Sequence, residues 1–114
     1  MDKGEEIRQL VLSARKELNK EQSDRVCKIC LDIKAKRGRR SFVMLLGKKR
    51  YVIYAESLVS LLPDEDIDGH IISALNKMRA SQYSTQILPY ASHKITWIRN
   101  EAKRYIQKYG LSQI

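Results

Sequence analysis

The sequence predicts an α+β fold, in which an antiparallel sheet of three or four strands has helices packed against it. Apolar residues recur at helical spacing near both termini and in the middle of the chain. Between them, apolar and polar residues alternate from Cys27 to Lys36, which is typical of a half-exposed strand. Two basic segments that contain glycine, residues 37–40 and 47–50, follow as turns would follow strands.

The first element predicted is an amphipathic helix near the N-terminus. Asp2 and Glu5 resemble a capping box, and basic residues toward Lys20 suit the negative end of a helix. Its apolar stripe consists of Ile7, Leu10, Val11, Ala14 and Leu18.

Three strands are predicted next. For the first, a helix is the competing interpretation, because Val26, Ile29, Cys30 and Ile33 also fit a period near 3.6; the unbroken alternation favours a strand. The second strand, residues 41–46, is apolar on both faces, as in a covered central strand. The third and a further candidate strand are residues 51–55 and 83–88.

The remaining elements are predicted to be helices. A short helical stretch ends at Pro63, and a longer helix covers residues 64–80 with acids at its positive end. The last helix begins near Ser92, a plausible N-cap, and ends at Gly110. The predicted order is therefore α-β-β-β-α-(β)-α.

The size and composition predict one globular domain, residues 1–114. The longest apolar run, Phe42 to Leu46, is far too short to span a bilayer. The charged N-terminus has no signal-peptide core and only two cysteines occur, so a cytoplasmic protein with reduced thiols is expected.

Positive charge is concentrated in one segment. The net charge is +9, and residues 25–50 hold ten basic residues and one acid, so this segment accounts for the whole excess. On an antiparallel sheet its two turns would lie roughly 20 Å apart, joined by a row of lysines, and could contact phosphates on both sides of a groove. A solvated surface that prevents aggregation, or the docking of an acidic protein, remains an alternative.

The last helix adds a tryptophan interleaved with basic residues. Trp97 lies beside Asn100, Arg104 and Lys108 on a helical projection. There it could stack on a base, or be covered by another part of the fold or by a second subunit. The predicted nucleic-acid-binding residues are therefore Arg25, Lys28, Lys34, Lys36, Arg37, Arg39, Arg40, Lys48, Lys49, Arg50, Trp97, Arg104 and Lys108.

Three motifs suggest chemistry, and each has a simpler interpretation. The spacing of Cys27 and Cys30 is that of redox and zinc sites, but on a strand the two sulfurs would diverge, which favours structural thiols. Residues 64–69 copy half of a calcium loop, yet position twelve is Leu75. Asp32 with Lys34 matches the carboxylate–x–lysine pattern of metal-dependent nucleases, although no convergent acid pair is evident.

The opening "MDKGEEIRQLVLSARKEL" and the Lys/Arg/Ile/Tyr-rich character of this small chain resemble the small basic proteins of crenarchaeal rod-shaped viruses, the rudivirus type. The resemblance implies a host cytoplasm, heat tolerance, and a role in genome handling or host interference. It assigns no functional residue.

The sequence therefore predicts a non-catalytic nucleic-acid-binding protein, DNA or RNA, that contacts phosphates without sequence specificity. A homodimer is expected, and we expect no cofactor, no metal ion and no contact with a membrane. If about six phosphates are neutralised, log K should fall against log salt with a slope near −5. An interaction module for an acidic host factor and a small metal-dependent nuclease are the alternatives.

Overall fold

The computed structural model describes residues 17–32, 34 and 38–110, and this part of the chain is all-α. Its α-helices are α1 (Lys20–Leu31), α2 (Arg40–Leu45), α3 (Ala55–Val59), α4 (Asp68–Met78), α5 (Ser84–Ile87) and α6 (Thr96–Tyr109). Short 3₁₀ helices cover Lys49–Tyr54, Ser81–Tyr83 and Leu88–Ser92. These residues contain no β-strand. The predicted α+β class, with its antiparallel sheet, is therefore wrong.

Helix α1 takes the place of the first predicted strand from Cys27 to Leu31; residues 33, 35 and 36 of that strand lie outside the described residues. Asn19 and Gln22 form a capping box: the Asn19 side chain accepts from the Gln22 N–H at 2.8 Å, and the Gln22 side chain accepts from the Asn19 N–H at 3.0 Å. The buried positions Val26, Cys27 and Cys30 recur at the spacing of one helix face. Helical periodicity combined with an N-terminal cap prevailed over the alternation of apolar and polar residues.

The other predicted strands are also helical. In the run 41–46, Phe42, Val43 and Leu46 are buried. They are separated from one another by one, three and four residues, which places them on one side of a helix. Residues 51–55 lie in the 3₁₀ helix Lys49–Tyr54 and the start of α3. Residues 83–88 lie mainly in the short helix α5. An apolar run of six residues fits a buried strand and a buried helix equally well.

Helices α4 and α6 confirm the helices predicted over residues 64–80 and toward Gly110, with shifted starts. Residues 64–67 lie in the turn segment before α4. Ser92, the predicted N-cap of the last helix, instead ends a 3₁₀ helix, and the N-cap of α6 is Ile95. Gly110 has a φ of 54°, which favours glycine at the predicted stop. The predicted first helix lies outside the described residues up to residue 16. Leu18 is buried in the core, and Lys20, predicted to lie at the end of that helix, instead begins α1.

The packing of α6 along α4 positions the site described below. The two helices run in the same direction, because contacts advance together along both. The Tyr105 hydroxyl donates to the main-chain oxygen of Ala80 and accepts from the Tyr83 N–H at 3.0 Å. In chain order, the contacts are Gly69 with Trp97, Asn76 with Glu101 and Ala80 with Tyr105.

The buried apolar side chains of the described residues form one cluster, to which all six α-helices contribute. None of the helices in this part of the chain combines the length and apolar character needed to cross a membrane.

Candidate nucleic-acid interface

The basic segment 25–50 is not arranged as predicted, because the strands that would align its residues do not form. Arg25 and Lys28 are exposed on α1, and the Arg25 guanidinium pairs with Glu21 at 3.3 Å. Lys34, Lys48, Lys49 and Arg50 are exposed as well, and Arg50 pairs with Glu17. Lys36 and Arg37 lie outside the described residues.

Two arginines of this segment point into the protein. Arg39 is completely buried; its guanidinium donates to the main-chain oxygen of Cys30 at 3.1 Å and forms an ion pair with Asp64. Arg40 donates from Nε to the main-chain oxygen of Asp66 at 2.9 Å. Both side chains fasten α2 to the turn before α4. Arg39 therefore has no exposed surface with which to contact a phosphate.

A second group of cations converges where α4 packs against α6. A groove of about 310 Å³ runs along the surface between the two packed helices. Four basic side chains line it, Lys77 and Arg79 from the end of α4 and Arg104 and Lys108 from α6. We call this the α4–α6 groove; its other lining residues are Ser73, Asn76 and Glu101.

Among the described residues that line the groove, the one acid is already engaged. Glu101 Oε2 accepts from the Asn76 side-chain amide at 2.9 Å, and Oε1 lies 3.2 Å from the Arg104 guanidinium. Within the described residues, Lys77, Arg79 and Lys108 have no ion-pair partner. The groove therefore carries a formal charge of about +3, which favours an anionic ligand.

Helix α6 also turns an outward face to solvent that contains no acid. The face is about 18 Å long, from the 1.5 Å rise per residue. Its exposed residues are Thr96, Trp97, Asn100, Lys103, Arg104, Gln107 and Lys108. The structure thus brings three predicted residues, Trp97, Arg104 and Lys108, onto one exposed face with Lys103. Arg104 and Lys108 also lie beside the cations of α4.

Arg79 has an unusual backbone conformation. Its φ and ψ are 60° and 39°, the left-handed region, and among the described residues it is the only non-glycine with positive φ. It ends α4 in a Schellman-type turn, in which the N–H of Ala80 donates to the oxygen of Leu75 at 3.1 Å. Glycine is the usual residue at this position, so an arginine here introduces backbone strain.

Sequence reasoning missed Lys77, Arg79 and Lys103. Lys77 and Arg79 lie at the end of a predicted helix, where cations are expected to complement the helix dipole and need no other explanation. Their proximity to Arg104 and Lys108 depends on the packing of α4 with α6. A projection of the last helix alone would have found Lys103.

The three motifs that suggested chemistry have structural roles here. Cys27 and Cys30 share the buried face of α1 as free thiols, and burial raises the pKa of Cys30 to about 12. Asp64 pairs with Arg39, as described above. Asp32 follows the last turn of α1 and accepts from the Lys34 N–H at 3.0 Å. No group of three His, Cys, Asp or Glu side chains in the described ranges is placed to hold a metal ion.

Comparison with known proteins returns no matching family model, curated protein or solved structure.

Proposed function

We propose that this protein binds nucleic acid without catalysis, with phosphates held in the α4–α6 groove and along the outward face of α6. The observation that carries the proposal is the convergence of four cations on one groove, in which the only carboxylate among the described lining residues is already bonded. Phosphate contacts position a nucleic acid without reading its sequence, so little base specificity is expected.

The outward face of α6 supports the same proposal. Arginine, lysine, asparagine and glutamine are the side chains that most often contact phosphates and base edges. Each occurs among the exposed residues of this face, none of which is acidic. The half-buried Glu101 beside them is bonded to Asn76 and Arg104. We expect the protein to act in the cytoplasm, that of a host cell if its origin is viral, as the resemblance implies.

The direct test is binding of labelled DNA and RNA strands over a range of salt concentrations. Four neutralised phosphates predict a slope of log K against log salt of roughly −3 for single strands and −4 for duplexes. Substituting Lys77, Arg79, Arg104 and Lys108 together by glutamine should remove most of the affinity and most of the slope.

A matched variant separates this groove from general electrostatic attraction. Substituting Lys28, Lys34, Lys48 and Lys49 by glutamine removes the same charge from exposed positions in the basic segment. We expect a much smaller loss of affinity from this variant. An equal loss would mean general electrostatic attraction without a defined site, and a larger loss would assign binding to residues 25–50 instead of the groove.

Two further outcomes would replace the proposal. Tight binding to an acidic protein, with negligible affinity for every type of strand, would favour an interaction module. Mg²⁺-dependent cleavage of the labelled strands that Asp32→Ala abolishes would favour a nuclease.

A further inference from the structure

We propose that the ligand of the α4–α6 groove is a single strand and that Trp97 stacks on one of its bases. This inference rests on the proposed function. It concerns the end of α6 opposite to the cations of the groove, where an anchored indole ring lies half exposed.

Trp97 is held by one edge of its ring. The six-membered edge of the indole lies against Gly69, where an added Cβ would come within 2.5 Å of Cη2 and 2.9 Å of Cζ2. A Cβ does not fit at such distances, so glycine permits this approach of the buried backbone. The His70 ring lies 5.1 Å from the indole at an interplanar angle of 77°. These contacts fix the orientation of the indole while 45% of Trp97 stays exposed.

The indole and the cations lie on one row of α6. Trp97, Glu101, Arg104 and Lys108 are spaced by four, three and four residues, which places them on one side of a helix. From Trp97 the row extends about 10 Å to Arg104 and about 16 Å to Lys108, from the helical rise. A short strand can therefore place a base on the indole while its phosphates follow the row into the groove.

Stacking on Trp97 favours a single strand over a duplex. Within a duplex the faces of each base are covered by its neighbours, so an inserted side chain must unstack a step at a cost of a few kcal/mol. In a single strand the faces are accessible, and a base stacked on an aromatic ring contributes about 1–3 kcal/mol. An anchored ring also loses little conformational freedom on binding.

Trp97 is the only tryptophan of the chain, so its fluorescence reports on this contact directly. We expect a thymine oligonucleotide to quench the emission at the concentrations at which it binds. Inorganic polyphosphate, which has no bases, should compete for the groove without quenching. A duplex of the same length should bind more weakly than the single strand.

Substitution at Trp97 tests the energy of the contact. Trp97→Ala should weaken single-strand binding about 5- to 150-fold, the range that corresponds to 1–3 kcal/mol. Trp97→Phe should recover part of this loss because it keeps an aromatic face, and it guards against loss of the fold. Ile53→Ala is the matched control, since Ile53 is 66% exposed on the separate 3₁₀ helix Lys49–Tyr54.

The outcomes separate this inference from the proposed function. No binding to any nucleic acid would overturn both. Salt-dependent binding with unchanged emission, tighter binding of the duplex, or a folded Trp97→Ala variant that binds as well as the original would overturn the inference alone. The inference would also be overturned if the emission changed with protein concentration and if Trp97→Ala abolished self-association, because a second copy would then cover the indole.

Discussion

The strained conformation of Arg79 allows stability and binding to be changed in opposite directions. The left-handed region costs an L-residue about 1–2 kcal/mol, and glycine avoids this cost. Glycine also gives the unfolded chain more freedom, which offsets about 0.5–1 kcal/mol. We therefore expect Arg79→Gly to raise the free energy of unfolding by about 0.5–1 kcal/mol. For a domain of this size this corresponds to an increase in melting temperature of about 2–4 °C.

The same substitution should weaken binding. Removing one phosphate contact from a single strand should make the slope of log K against log salt shallower by about 0.7. Arg79→Ala is the matched control, because it removes the charge but keeps the Cβ and therefore the strain. The two variants should lose affinity equally, and only the glycine variant should become more stable.

Thermal and urea unfolding, measured beside the salt titration, check both halves of this prediction. If Arg79→Gly were no more stable than Arg79→Ala, the strain at this position would be refuted. If both variants bound as tightly as the original protein, Arg79 would have no part in the interface.

Two further predictions concern stability. Gly69→Ala should lower the free energy of unfolding by about 1–3 kcal/mol, because the alanine Cβ would overlap Trp97. Urea unfolding and indole emission that are both unaltered in this variant would contradict the contact. The Arg39 guanidinium beside Asp64 holds the pKa of that carboxyl below its usual value. The stabilisation from this pair should therefore be present above the ordinary carboxyl pKa and be lost as the pH falls through the lowered one. Asp64→Asn, which cannot ionise, should be less stable at neutral pH and should lose less stability on acidification; an acid unfolding curve parallel to that of the original protein would contradict this.

The sequence was sufficient to predict α4 and α6, but it was insufficient for α1 and for the short elements. Helix α4 and helix α6 span three or more turns, so their apolar stripes distinguish a period of 3.6 from a period of two. The run Phe42 to Leu46 is too short for this distinction. At α1 the usable signal was the Asn19 and Gln22 pair, an N-terminal cap before the disputed alternation.

The site could be predicted only where it depended on one helix. Arg104 and Lys108 follow from the projection of α6, whereas their convergence with Lys77 depends on tertiary packing. Net charge was misleading at Arg39, which counts as a surface cation in any composition but is buried against Asp64. Formal charge alone does not distinguish a docking residue from a structural one.

The parallel packing of α4 and α6 directs both carbonyl ends toward the same end of the groove. Each such end behaves as about half a negative charge, so the backbone itself opposes an incoming phosphate there. Lys77, Arg79 and Lys108 must first offset this backbone field and the Glu101 carboxylate before they can attract a strand. Without its cations the groove would consequently repel polyanions. Each of these three residues should therefore affect binding more than an average one of the twenty-two basic residues of the chain.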